Sequence, residues 1–133
     1  MCSIIAAQLS LKKNCYICEL EKAGSGIFRS RYWTIDNPDN FKIKGLLFVR
    51  LRRHAEELDK LKTTELESLG ITLKKAVVKS REASKASKIT MMRLGLKDPH
   101  FHFWVVPKTP QTEKTLETIR NSFKKMRLKY AVS

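Results

Sequence analysis

Asp98-Pro99-His100-Phe101-His102-Phe103-Trp104-Val105-Val106-Pro107 is a short apolar run closed by prolines, with histidines at alternate positions. Side chains of a β-strand point in turn to its two faces. On that reading His100, His102 and Trp104 share one face, while Phe101, Phe103 and Val105 line the other. The two imidazoles then lie roughly 6.6 Å apart, two steps of a strand's rise. The apolar face has a core to enter. The imidazole face needs a chemical use, and a metal, a nucleophile or both would supply one.

Around this strand, 133 residues at 42% hydrophobic content predict one domain that buries a core without disulfide staples. That domain is expected to run over residues 1–133, with a lead-in at 1–14 and a basic C-terminal helix within 108–133. No stretch approaches the apolar length of a membrane span. Ile4-Ile5-Ala6-Ala7 is interrupted by Gln8, and Lys12-Lys13 follow it rather than precede it, the wrong order for a secretory signal. Three cysteines, two of them in Cys15-x-x-Cys18, do not make a secreted disulfide scaffold. A cytoplasmic protein is expected. Its 27 Lys and Arg outnumber 13 acids, for a formal charge of +14. A surplus this one-sided favours polyanionic partners such as nucleotides or nucleic acid.

Along the chain, residues 1–14 read as a partly helical lead-in and Gly24-Ser25-Gly26 as a loop. Ile27 to Ile35 reads as strand, Asp36-Asn37-Pro38-Asp39-Asn40 as a turn, and Leu46 to Val49 as a buried strand whose basic exit is Arg50 to Arg53. Thr63 to about Lys88 is the one long helix, capped by Thr63 or Thr64, with Glu65 and Glu67 in its first turn where the dipole favours them. Leu66, Leu69, Leu73, Ala76, Val77, Ser80, Ala83, Ser84 and Ser87 gather on one side of it, and the small second half of that stripe suits close approach to a sheet. Lys74, Arg81, Lys85 and Lys88 form a row opposite, most simply a solvated face, with nucleic-acid contact as the less common alternative. Ile89 to Leu94 is a further strand. After Pro110 a basic amphipathic helix runs to about Lys129, with Leu116, Ile119, Phe123 and Met126 or Leu128 inward. The class is α+β: an antiparallel sheet, one long helix and a C-terminal helix.

Cys15-x-x-Cys18 alone is a redox pair, half a metal site, or two small buried residues. A redox motif belongs near a βαβ pattern, which this chain lacks. A tetrahedral zinc needs two more ligands. The only histidines are His54, His100 and His102. His54 ends one predicted strand and His100 begins another, so both can converge on the Cys15–Cys18 loop and close a structural zinc site, leaving His102 free. A neutral histidine attacks phosphorus when a hydrogen bond on one ring nitrogen leaves the other's lone pair aimed at the substrate. A core histidine satisfied by a carbonyl is the bland alternative; alternating histidines beside a metal site in a basic protein favour the chemical one.

His100-Phe101-His102-Phe103-Trp104-Val105-Val106-Pro107 resembles the signature of the histidine triad (HIT) superfamily, in which histidines alternate and two apolar residues follow, commonly closed by proline. The flanking pieces agree. Cys15-x-x-Cys18 followed by Glu19-Leu20 resembles the N-terminal motif of many bacterial members, and Trp33 the aromatic on an early strand. Gly45-Leu46-Leu47-Phe48-Val49, then Arg53-His54 and Leu58 to Leu61, resembles the strand leading to the family's basic residue–histidine element and short helix. The similarity spans about residues 15–107. It implies an α+β half-barrel, often a homodimer, binding a nucleotide or nucleotide conjugate against the histidine strand. It implies His102 as nucleophile at the α-phosphorus, forming a nucleotidyl-histidine that water or another acceptor resolves. It also implies structural zinc at Cys15, Cys18, His54 and His100, as in zinc-bearing members and the related galactose-1-phosphate uridylyltransferases.

Two departures matter. Trp104 takes the third histidine's place, where the uridylyltransferase branch has glutamine. Indole has one N–H donor and no acceptor, so Trp104 can hydrogen-bond a phosphoryl oxygen but cannot relay a proton, which favours good leaving groups. At Ile89-Thr90-Met91-Met92 many members carry an asparagine on the phosphate side; here Arg93, Arg53 and Lys97 are the nearest basic residues. The first functional reading is therefore a nucleotide hydrolase or nucleotidyltransferase. The alternative is a zinc-stabilised, catalytically degenerate binding protein whose basic surface docks nucleotides or nucleic acid. A redox Cys-x-x-Cys protein is the third.

Overall fold

The computed structural model describes residues 10–37 and 42–130, with side chains as far as 126. Helix α1 (Tyr16–Lys22) leads into a hairpin of β1 (Phe28–Arg29) and β2 (Trp33–Asp36). Next come β3 (Leu47–Leu51), a 3-10 turn at Leu58–Lys60, α2 (Thr63–Ser84), β4 (Ile89–Met92), β5 (His102–Pro107) and α3 (Glu113–Tyr130). The strands form one antiparallel sheet in the order β1-β2-β3-β5-β4. This is the expected α+β architecture. Residues 1–9 of the lead-in and 38–40 of the turn lie outside the described residues, and 10–14 form no helix.

The register sorts side chains onto two faces. Trp33, Ile35, Leu47, Val49, Leu51 and Val105 enter the core, joined by Phe101 and covered by Leu69, Leu73, Ala76 and Val77 of α2. Trp33 is anchored by its indole N–H, which donates to Glu65 O at 3.0 Å. The opposite face carries two rows. Thr34, Arg50 and His102 are cross-strand neighbours, and so are Asp36, Phe48, Trp104 and Met92.

The small stripe on α2 meets the approach predicted for it. Ser80 Oγ donates to Gly45 O at 2.6 Å. Gly45 has φ 83°, and a Cβ there would lie 2.6 Å from Ser80 O, so only glycine lets the lead-in to β3 sit against the helix.

Other expectations need correction. Ile27 to Ile35 is two strands rather than one, because Ser30 turns the chain, its N–H donating to Trp33 O at 2.8 Å. Helix α2 stops at Ser84, four residues early, where Lys85 adopts a left-handed φ of 61°. At its start Lys62, not Thr63 or Thr64, is the cap residue, and Glu65 Oε1 accepts the Lys62 N–H at 2.7 Å. That bond draws Glu65 inside and leaves Leu66 outside. The basic exit of β3 begins later than expected: Arg50 lies within the strand, and Arg50 and Arg52 are both buried. On α3, Leu116 and Ile119 are half-buried as predicted, but Phe123 and Met126 are exposed. β4 is the edge of the sheet, so later turns of the helix have no further strand to cover; Leu128 lies outside the described side chains.

Candidate functional site

Three separate elements bring four ligands together. Cys15 caps α1 and Cys18 lies in its first turn, the Cys18 N–H donating to Cys15 Sγ at 3.4 Å. His54 follows β3, and its N–H is held by Ser10 O at 2.8 Å. His100 precedes β5, where the neighbouring backbone is fixed by Phe101 N–H to Ala55 O at 2.7 Å. One donor atom from each of Cys15, Cys18, His54 and His100 lies within 4.8 Å of all the others.

Proton counting says what this cluster needs. His100 Nε2 meets Leu51 O at 2.6 Å, and a carbonyl only accepts, so that nitrogen carries the proton and Nδ1 the lone pair. His54 Nε2 meets Glu56 Oε2 at 2.7 Å, with the same consequence for a carboxylate. Both Nδ1 lone pairs point at sulfur: Cys18 Sγ lies 3.4 Å from each, and Cys15 Sγ 3.5 Å from His100 Nδ1. Two thiols and two imidazole lone pairs thus face one another, four groups that can all become donors to one cation. A further N–H, that of Lys12, donates to Cys18 Sγ at 3.4 Å. Burial, with Cys15 alongside, pushes the Cys18 thiol up to about 11, while burial pushes His100 down to about 4, keeping it neutral. A shared cation satisfies four inward-facing donors at once. These residues can hold a metal ion, and Glu56 and Leu51 O orient the two imidazoles from behind as outer partners of metal-bound histidines do.

His102 lies two residues on and outside this cluster. Its Nδ1 meets His100 O at 2.7 Å, so Nδ1 is protonated and Nε2 carries the lone pair, with no hydrogen-bond partner among the described residues. Burial lowers its pKa, against the pull of that hydrogen bond. It is therefore a neutral imidazole in one tautomer, braced edge-on by Phe48 (centroids 6.4 Å apart) and Trp104 (6.1 Å). Trp104 also packs on Phe48 at 5.6 Å.

Of the basic residues suggested for the phosphate side, the two arginines are otherwise engaged. Arg53 grips Glu65 through Nε at 2.7 Å and Nη2 at 2.8 Å, and Arg93 donates to Glu56 O and lies over the Phe101 ring at 4.4 Å. Lys97 is exposed.

Sequence reasoning missed a charged network over the row of Thr34, Arg50 and His102. Glu21, one turn beyond Cys18, accepts from Arg52 Nε at 2.7 Å, Arg50 Nη2 at 3.3 Å and Thr34 Oγ1 at 3.2 Å. Asp36 takes Arg50 Nη1 and Ser25 Oγ, and Arg29 Nε adds an ion pair to Glu21 at 3.7 Å. Glu56 was missed too; its place two residues after His54 was the available signal.

No family model and no curated protein sequence matches the chain. Solved structures do. A HIT-like protein involved in cell-cycle regulation from Bartonella henselae superposes with TM-score 0.65 at 16% identity, over 76% of this chain and 84% of that one. A HIT family protein from Bacillus anthracis gives 0.63 at 15% identity, over 88% and 97%. A HIT family hydrolase from Legionella pneumophila gives 0.57 at 13% identity, over 72% and 94%. The chain thus has the histidine triad fold, and its cluster of Cys15, Cys18, His54 and His100 is compatible with a zinc-binding variant of it.

Proposed function

We propose that the chain, as a single domain over residues 1–133, is a histidine triad nucleotide hydrolase or nucleotidyltransferase with a structural zinc. The observation that carries this reading is the fixed tautomer of His102, whose Nε2 lone pair is left for a substrate by the bond from Nδ1–H to His100 O. Nε2 attacks the α-phosphorus, the bond to the leaving group breaks, and water or another acceptor then cleaves the phosphorus–nitrogen bond. His100 O holds the ring through both steps. Trp104 cannot relay a proton, so good leaving groups are favoured.

Zinc is the metal that the donor set fits. Zn–S near 2.3 Å and Zn–N near 2.0 Å in a tetrahedron give sulfur–nitrogen edges of about 3.5 Å, and three of the four edges here are 3.4–3.5 Å. When bound, the ion would add folding energy by tying α1 to both histidine-bearing segments. The cytoplasm, where thiols stay reduced, suits Cys15 and Cys18. A homodimer is supported by β4, an edge strand with Met91 49% exposed; unpaired strand edges invite pairing. No helix among the described residues is long and apolar enough to cross a membrane.

The test is release of nucleoside monophosphate from adenosine and guanosine phosphoramidates and dinucleoside polyphosphates. Zinc-loaded protein should turn over at least one of them, and His102→Asn should lose about 10³-fold or more while keeping its metal and its fold. Absence of turnover on the whole panel would transfer the assignment to a binding protein. Its contact face would then be the exposed row of Lys74, Arg81, Lys85 and Lys88, where charge reversal should weaken nucleic-acid binding and flatten its salt dependence.

A further inference from the structure

From His102 the open face of the sheet runs in two directions of opposite character. Toward β2 it is charged and filled: Arg50, Glu21 and Asp36 are all buried, and Arg50 is bonded to both carboxylates. Toward β4 it opens into a cavity of roughly 270 Å³ under α3, lined chiefly by Leu46, Met92, Leu94, Trp104, Leu116 and Ile119. The Trp104 ring, 6.1 Å from that of His102, forms the near wall. A dry cavity of about 150 Å³ takes a benzene ring, so this one has room for two fused rings. An apolar group attached to a phosphorus at His102 has one direction in which it is not set against buried charge.

We propose that this cavity receives the leaving group, and that the substrate is a nucleoside 5′-monophosphate esterified through oxygen to an apolar group of aryl size. The inference rests on His102 as the nucleophile and adds the substrate class. Two features agree on it. The cavity selects an apolar group, and Trp104, which forms its near wall, cannot relay a proton to a group held there. An aryl oxide meets both conditions, since it leaves as a stabilised anion. In the first step the His102 Nε2–P bond forms while the P–O bond breaks, its electron pair departing on the aryl oxygen. The intermediate keeps its Nδ1–H on His100 O. In the second step a water oxygen bonds to phosphorus, the P–N pair returns to Nε2, and the water proton passes to solvent.

The test compares adenosine 5′-(1-naphthyl phosphate) with adenosine 5′-phosphorofluoridate on zinc-loaded, full-length protein. Fluoride also leaves without a proton but is too small to use the cavity. The ratio of kcat/KM values, naphthyl over fluoridate, should fall about tenfold in Ile119→Asp, the scale of a lost apolar pocket contact, and recover in Ile119→Leu. Leu116→Asn serves as the independent variant if Ile119→Asp does not fold. An unchanged ratio in folded variants, with fluoride still released through His102, would overturn the leaving-group assignment and leave the nucleophile standing. Equal losses on both substrates would overturn it as well, by placing the nucleobase in the cavity. Absence of fluoride release would remove the nucleophile reading and this inference together.

Discussion

His100 and His102 stand two residues apart, are both buried, and each gives one ring proton to a backbone carbonyl, Leu51 O for the first and His100 O for the second. They differ in what the remaining nitrogen meets. For His100 it is two sulfurs at 3.4 and 3.5 Å; for His102 it is no hydrogen-bond partner among the described residues. The same backbone chemistry thus leaves one imidazole facing two thiols and the other with a lone pair that no described residue engages. The role is set by a third group arriving from elsewhere in the chain, here a helix start more than eighty residues upstream.

The largest effect should come from breaking the ligand side. Cys18→Ser should release the metal and destabilise the fold by about 4 kcal/mol or more, the scale of losing a metal site, seen as a lowered thermal midpoint and a metal content near zero. His102→Asn, by contrast, should leave that midpoint close to the parent's. A smaller effect sharpens the catalytic side: Trp104→His restores a ring that can carry a proton. Turnover of phosphoramidates, whose amines leave poorly, should rise about 100-fold, the lower range for general acid catalysis, with little gain for leaving groups that need no proton. Smaller still is the outer support of the metal. Glu56→Gln removes the carboxylate behind His54, and zinc competition against a chelator should show about a tenfold loss of affinity, His102 chemistry being spared.

Much of the site was legible because its residue types are scarce. With three histidines and one Cys-x-x-Cys pair, few sets of converging residues were available, and Cys15, Cys18, His54 and His100 do converge. The sheet and both long helices followed from apolar periodicity. What could not be read were positions where a polar partner overrides the pattern. Arg50 and Arg52 read only as the basic exit of a strand because Glu21 and Asp36 reach them only in the folded chain. Leu66 yielded its inward place to Glu65 because Arg53 sits beneath that turn. The early stop of α2 at Lys85 carries no glycine or proline to announce it.

The buried network has a consequence for ionic strength. Arg29, Arg50 and Arg52 supply three positive charges against two negative ones from Glu21 and Asp36, leaving one in excess. Three of their N–H groups, Arg29 Nε, Arg50 Nε and Arg52 Nη2, are buried with no hydrogen-bond partner among the described residues. The chain's overall charge of +14 sits largely on exposed lysines and arginines, whose reach shrinks to about 8 Å in physiological salt. The excess beside His102 is enclosed by protein and is screened far less. Long-range attraction of any anion will therefore fade as salt is added, while the local positive potential across the strand from His102 persists.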